Sequence, residues 1–177
     1  MSTFILLLVS ILGGFVIIIS WLPDNFRVSR SATIAAPAHV VYEHINDLHK
    51  WDDWSPWAKL DPNAKNSFDG APLGPGASFS WSGNSKVGAG RMTILESRPD
   101  DLIRIKLEMT KPIAATNAVE FALAEEGEST KVTWTMAGKN SFISKAMGLF
   151  MNVDKMCGGQ FETGLANLKA VAEKHSA

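Results

Sequence analysis

The sequence has one cysteine, no cluster of basic residues and almost no net charge. Cys157 stands alone among 177 residues, so the chain cannot form an intramolecular disulfide, which mildly favours a reducing compartment. The formal net charge is -1, and no run of lysine or arginine occurs. The electrostatic footprint of a nucleic-acid-binding protein is therefore missing, and we expect no nucleic-acid partner.

Short catalytic and metal-binding motifs are also missing. The sequence has no nucleophile elbow, phosphate-binding loop or CxxC pair. His39, His44 and His49 are spaced by five, which rotates successive side chains by about 140° on a helix and keeps them from converging on a metal. Asp52 and Asp53 have no identifiable acid or base partner, and we interpret them as a solvated turn. We expect neither a metal nor a cofactor.

A long apolar run stands at the N-terminus. Residues 4–22 carry no charge and would span about 28 Å as a helix, close to the hydrocarbon thickness of a bilayer. A cleaved signal peptide is the alternative. It is disfavoured because the run is longer than a usual apolar signal region, no lysine or arginine precedes it and no A-x-A-like site follows. We predict a membrane anchor and short linker in residues 1–25 and one soluble domain in residues 26–177.

Two arginines give a weak indication of sidedness. Arg27 and Arg30 follow the apolar run, whereas only the N-terminal amine precedes it. Because basic residues are enriched on the cytoplasmic side of membrane spans, we predict a single-pass protein whose soluble domain is cytoplasmic.

Regular alternation of apolar and polar residues predicts an antiparallel sheet with one solvent-exposed face and one apolar face. In the first strand, 26–34, Arg30 interrupts the apolar face, and we interpret it as a strand end that reaches solvent. A helix is predicted after Ala36-Pro37, because proline suits an early helical position. The remaining strands are predicted near residues 65–68, 77–82, 90–96, 103–109, 115–124 and 131–136.

The final segment, residues 152–174, has the period of an amphipathic helix. Its apolar residues recur at steps of four and three: Val153, Cys157, Phe161, Leu165, Leu168 and Ala172. An apolar flank containing Phe142, Ile143, Met147, Phe150 and Met151 leads into it. Because the stripe needs an apolar partner, we predict an α+β fold in which a curved antiparallel sheet wraps around one long C-terminal helix.

Several local patterns resemble a known superfamily. They are Ile34-Ala-Ala-Pro37, Val40-Val-Tyr42, Asp47-Leu48, Trp51-x-x-Trp54-Ser-Pro-Trp57, and a closing set of Asp154, Gly159, Phe161-Glu162 and Gly164-Leu165-x-x-Leu168-Lys169. Together they look like the START-like helix-grip (SRPBCC) superfamily, in particular its bacterial polyketide cyclase/dehydrase branch. The resemblance covers residues 26–174 and implies the helix-grip fold. It leaves function open, because the superfamily includes lipid carriers, hormone receptors and cyclases.

The inner face of the predicted sheet offers a candidate pocket, mostly apolar with a few polar groups. The tryptophans could seal the core or line an opening, and Gly164 could provide close helix packing or room for a ligand. The candidate ligand-binding residues are Trp54, Trp57, Phe79, Trp81, Met92, Ile94, Glu96, Ile105, Leu107, Met109, Asn117, Phe121, Trp134, Met136, Met147, Phe161, Gly164 and Leu165.

These patterns favour a membrane-anchored domain that binds a hydrophobic small molecule or lipid between its sheet and its C-terminal helix. Two alternatives stay open. One is a cyclase or dehydratase acting on a polyketide-like substrate, for which Glu96, Asn117 and Arg30 are the first residues to test. The other is a non-catalytic scaffold whose apolar interior is filled.

Overall fold

The computed structural model describes residues 2–149 and 152–175, so the predicted apolar residues Phe150 and Met151 lie outside the described part. The first element, α1 (Ser2–Trp21), is almost entirely apolar and exposed. Its segment Thr3–Trp21 has a mean hydropathy of 2.7 and is long and apolar enough to cross a membrane. Length and composition suit a membrane anchor and a signal sequence alike.

Seven antiparallel strands form one curved sheet, in the order β1-β7-β6-β5-β4-β3-β2. The strands β1 and β2 lie at the edges. Except for the pair β1–β7, neighbouring strands are consecutive in the chain and are joined by short connections. The predicted α+β architecture is confirmed. The strands are β1 (Asn25–Ile34), β2 (Lys65–Gly70), β3 (Ala77–Ser82), β4 (Ala89–Arg98), β5 (Leu102–Lys111), β6 (Ala115–Glu126) and β7 (Ser129–Lys139).

Four further helices complete the fold. Pro37 caps the N-terminus of α2 (Ala38–Asn46), close to the predicted position. A single 3₁₀ turn then leads to α3 (Trp51–Trp54). Two helices follow the sheet, α4 (Phe142–Gly148) and α5 (Val153–His175).

The long helix α5 packs its predicted stripe against β1, α2 and α3. Phe161, Leu165, Leu168 and Ala172 are all buried and belong to a core that also contains Trp54. Because Leu165, Leu168 and Ala172 lie in the C-terminal half of α5, that half of the helix is packed directly against the rest of the domain.

A β-bulge in β4 corrects the predicted orientation of Glu96. The pairing with β5 shifts between Ile94 and Glu96, which leaves Leu95 as an extra, exposed residue. Glu96 therefore turns to the outer face, where its Oε2 lies 2.6 Å from Nη1 of Arg104, and Arg104 Nε also bonds Glu120 at 2.9 Å. The expectation that Glu96 shares a face with Ile94 is wrong, because the bulge inserts one residue into an alternation of period two.

Arg30 does not reach solvent as a free strand end. It lies in the middle of β1, with Nε 2.7 Å from Glu162 Oε1 and Nη2 2.9 Å from Asp154 Oδ2, both on α5. The guanidinium occupies the space that a side chain at Gly158 would need. This arginine therefore ties β1 to the N-terminal half of α5, which corrects the interpretation based on the strand alternation alone.

Candidate functional site

A cavity of about 410 Å³ lies between the inner face of the sheet and the N-terminal half of α5. The sheet side is formed by large apolar residues that are only half-buried, among them Phe79, Trp81, Met92 and Leu107. Phe161 and Cys157 border the cavity from α5. The apolar interior is therefore filled at one end of α5 and open at the other.

Ten of the predicted pocket residues line this cavity. They come from the segment after α3, from five strands and from α5, and they share an inward orientation: Trp57, Phe79, Trp81, Met92, Leu107, Met109, Asn117, Trp134, Met136 and Phe161. The regular alternation of β3, β5, β6 and β7 brings them together, since each strand contributes every second residue to the same face.

Eight predicted residues lie elsewhere. Five are core residues packed from all sides: Trp54, Ile94, Ile105, Phe121 and Leu165. Gly164 is buried where α5 packs closely, and Glu96 points outward beyond the bulge. Met147 is exposed on α4, because that helix ends at Gly148 and does not continue the stripe of α5.

Two residues that line the cavity each carry a buried polar atom without a hydrogen-bond partner in the described part of the chain. One is Oδ1 of Asn117, a residue only 9% exposed, and the other is the indole Nε1 of Trp134, 2% exposed. Gly138 pairs with Asn117 across the strands, and a side chain there would overlap Asn117 Oδ1. Leaving a buried donor or acceptor unpaired costs about 1 to 3 kcal/mol.

Three aromatic rings form a continuous wall beside α5. Trp134 stacks on Phe161 with ring centroids 4.3 Å apart and an interplanar angle of 7°. Trp57 meets Trp134 edge-on at 5.9 Å and Phe161 at 6.4 Å. Because these contacts fix the rings, this side of the cavity is preformed.

Several lining residues were not predicted from the sequence. Phe26 and Cys157 belong to apolar faces that were identified from the sequence, so their periodicity could have placed them in the pocket. Asp52 was interpreted as part of a solvated turn; it is exposed, in α3, and also borders the cavity. Six of the other unpredicted lining residues come from loops, where no periodic pattern indicates a direction: Ser55, Ala58, Asp61, Ala64, Val87 and Asn140. The rest lie within elements: Asn66, Ala115, Val119 and Lys139 on strands, Trp51 in α3 and Ser144 in α4.

The contacts of Arg30 also set the electrostatics of the helical wall. The hydrogen bond from Arg30 holds the pKa of the Asp154 carboxyl below its usual range. Burial, and secondarily the charge of Asp154, raises the pKa of the Cys157 thiol, so that it is protonated at neutral pH. Across residues 2–149 and 152–175, no group of three or more His, Cys, Asp or Glu side chains is placed to hold a metal ion.

Solved structures with this architecture include several bacterial proteins. Protein CV1439 from Chromobacterium violaceum superposes with a TM-score of 0.60 at 16% identity, covering 86% of this chain and 99% of that one. MLL2253 from Mesorhizobium loti gives 0.60 at 17% identity, with 84% and 98% covered. The di-domain ARO/CYC StfQ of the steffimycin biosynthetic pathway gives 0.62 at 11% identity, with 86% and 52% covered. At these identities the likeness concerns the fold alone.

No curated protein matches the chain in sequence. The family model described as polyketide cyclase / dehydrase and lipid transport, however, matches residues 25–173. This match runs from the start of β1 almost to the end of α5, and so includes the sheet, the helix and the cavity between them. The chain therefore belongs to the polyketide cyclase/dehydrase and lipid transport family.

Proposed function

We propose that this domain binds a hydrophobic small molecule or lipid in the cavity between its sheet and the N-terminal half of α5, and that residues 4–22 hold it at a membrane. The observation that carries the proposal is the cavity itself. It is lined mainly by apolar residues, among them seven aromatic residues and three methionines, and Asn117 and Trp134 each carry an unpaired polar atom. This combination of apolar surface with few polar groups is typical of small-molecule sites. The family name, with its reference to lipid transport, supports the same class of ligand.

Filling the cavity should weaken ligand binding at least tenfold without unfolding the domain. Ala115 lines the cavity from β6, so Ala115→Trp places an indole in open space. We expect the affinity for an anthroyloxy-labelled fatty acid to fall by about tenfold or more, which corresponds to about 1.4 kcal/mol or more. Fluorescence titration of the full chain in detergent micelles measures it.

A matched control lies on the same strand. Ala118 is exposed on the opposite face of β6, so Ala118→Trp adds the same side chain outside the cavity. It should bind the labelled fatty acid like the parent chain. If both variants bind equally well, the ligand does not occupy the cavity. If the parent chain binds no apolar probe, the filled-core scaffold is the better interpretation.

A cyclase or dehydratase activity is the second candidate, favoured by the family to which the chain belongs. Such an enzyme needs an acid or base in reach of its substrate. The ionisable side chains that border the cavity are Asp52, Asp61, Lys139 and Cys157. Of the three residues first considered for catalysis, Asn117 borders the cavity, whereas Glu96 and Arg30 are held in ion pairs outside its lining. The binding function therefore has the stronger support.

The proposed anchor places the domain on the cytoplasmic side. Arg27 and Arg30 follow the apolar helix, and basic residues favour that side. A reporter that is active only in the cytoplasm, fused after Ala177, should be active. Activity of a reporter that works only outside the cytoplasmic membrane would reverse the assignment, and release of a shortened chain from the membrane would indicate a cleaved signal sequence instead.

A further inference from the structure

The short helix α4 carries a cluster of exposed apolar side chains. Phe142, Ile143 and Met147 are 50%, 59% and 42% exposed, and Leu149, directly after the helix, is 41% exposed. Met156, near the start of α5, is exposed as well. Contiguous apolar surface of this kind marks a site of interaction with a membrane or another protein.

The position of α4 is fixed beside the end of α1. The backbone N–H of Asn140 donates to the carbonyl of Asp24 at 2.8 Å, and its side-chain Nδ2 donates to the carbonyl of Pro23 at 3.1 Å. Lys145 on α4 forms an ion pair with Asp24. α1 also contacts α4 directly, and Ile19 is its only buried residue among those described.

This attachment places α4 where a membrane-spanning α1 would leave the bilayer. A spanning helix ends at the interface between acyl chains and headgroups, where an exposed tryptophan such as Trp21 is favoured. α4 starts from the same level, so its apolar side chains extend the lipid-facing surface of α1. A helix with an apolar face at that depth lies in the interface plane.

The same region borders the cavity. Lys139 and Asn140, between β7 and α4, and Ser144 of α4 line its wall, together with Phe26 at the start of β1. The part of the cavity wall closest to the proposed anchor is therefore built by the segment that carries the exposed apolar cluster.

We propose that α4 inserts its apolar side chains into the bilayer that holds α1, and that an apolar ligand passes between bilayer and cavity beside this helix. The inference rests on the proposed anchor and the proposed ligand cavity. It commits to a lipid surface as the occupant, because α4 contacts α1, whose side chains are exposed and apolar as well.

Depth-dependent quenching tests the insertion. Ile143→Cys in the full chain is labelled with a nitrobenzoxadiazole dye and reconstituted into phosphatidylcholine vesicles, with spin-labelled phosphatidylcholine as quencher. Emission should shift to the blue and be quenched about twofold or more, as expected for a probe at the acyl–headgroup boundary. The parent chain gives the background from Cys157, a half-buried thiol whose raised pKa makes it poorly reactive.

Leu95→Cys is the matched control. Leu95 is also apolar and 60% exposed, but it lies in β4, three strands away from β7. Its label should remain unquenched. Equal quenching at both sites, or none at residue 143, would overturn the inference. A blue shift at residue 143 without lipid quenching would indicate that a second copy of the chain or another protein covers α4, and would overturn it too.

Ligand exchange is tested with a charge on α4. In Ile143→Asp, transfer of the anthroyloxy fatty acid from vesicles to the protein should slow about tenfold, because a carboxylate opposes insertion. Its equilibrium affinity, measured in micelles, should be unchanged, and Leu95→Asp should transfer at the parental rate. If Ile143→Asp transfers the fatty acid at the parental rate and binds it normally, only the proposed role of α4 is refuted. If the parent chain does not bind the fatty acid, the proposed function is refuted. If the chain does not float with the vesicles, the proposed anchor is refuted.

Discussion

Replacing Gly164 by leucine should lower the free energy of unfolding by about 3 kcal/mol or more, at the upper end of the cost of overpacking a core. A Cβ atom at this position would lie 2.7 Å from Cζ3 of Trp134 and 3.0 Å from Cδ of Pro56. Neither neighbour can easily move, because the Trp134 ring stacks on Phe161 and proline is rigid. Urea unfolding of the full chain in detergent micelles, followed by tryptophan fluorescence, measures the difference.

Gly159 provides the matched control on the same helix. A Cβ there meets no atom within 4 Å, so Gly159→Leu adds the same side chain in open space. Because leucine has a higher helix propensity than glycine, the free energy of unfolding of Gly159→Leu should equal that of the parent chain or exceed it by up to about 1 kcal/mol. If Gly164→Leu is as stable as Gly159→Leu, then α5 does not pack closely at Gly164, and the cavity extends further along the helix than the structure indicates.

The sequence could predict most of the fold because its elements repeat with regular periods. The alternation in β5 and β7 and the stripe of α5 each specify a buried face, and the faces have only one another to pack against. Gly164 lies on the face of α5 that meets Trp134 of the sheet. Whether a cavity or packed side chains lie between that face and the sheet depends on the distance between helix and sheet, which no residue pattern encodes.

Local irregularities limited the prediction of the site. The bulge at Leu95 inserts one residue without a glycine or proline to signal it, so Glu96 was assigned to the wrong face. Arg30 interrupts an apolar face, and its partners Asp154 and Glu162 lie more than a hundred residues away along the chain. Such a pairing follows from tertiary structure and has no counterpart in the local alternation.

The three tryptophans of the segment after α2 illustrate the same limit. Trp51, Trp54 and Trp57 are the same residue at equal spacing, yet Trp51 and Trp57 border the cavity and Trp54 does not. The indole of Trp54 donates to the carbonyl of His44 at 3.0 Å inside the core, whereas Trp57 borders the cavity. The difference arises because α3 ends at Trp54 and the chain then turns at Ser55-Pro56.

Replacing Trp54 by alanine should therefore affect mainly stability, whereas replacing Trp57 should affect mainly ligand binding. Trp54 is fully buried and meets Phe121 and Trp134 edge-on, so Trp54→Ala should cost about 3 to 5 kcal/mol of stability. Trp57 is only half-buried, so Trp57→Ala should cost about 1 to 2 kcal/mol, close to the loss of its aromatic pairs.

The loss of ligand affinity should follow the opposite order, with Trp57→Ala affected more than Trp54→Ala. Trp57→Ala removes part of the preformed aromatic wall and should lower the affinity for the labelled fatty acid by about tenfold, a loss of about 1.4 kcal/mol. For Trp54→Ala, the fraction that remains folded should bind nearly as tightly as the parent chain, because Trp54 does not line the cavity. Urea unfolding and fluorescence titration of the same two preparations separate the effects. Equal stability losses, or a larger binding defect in Trp54→Ala, would mean that the ligand contacts the Trp54 side of the core, and the proposed site would have to move towards the C-terminal half of α5.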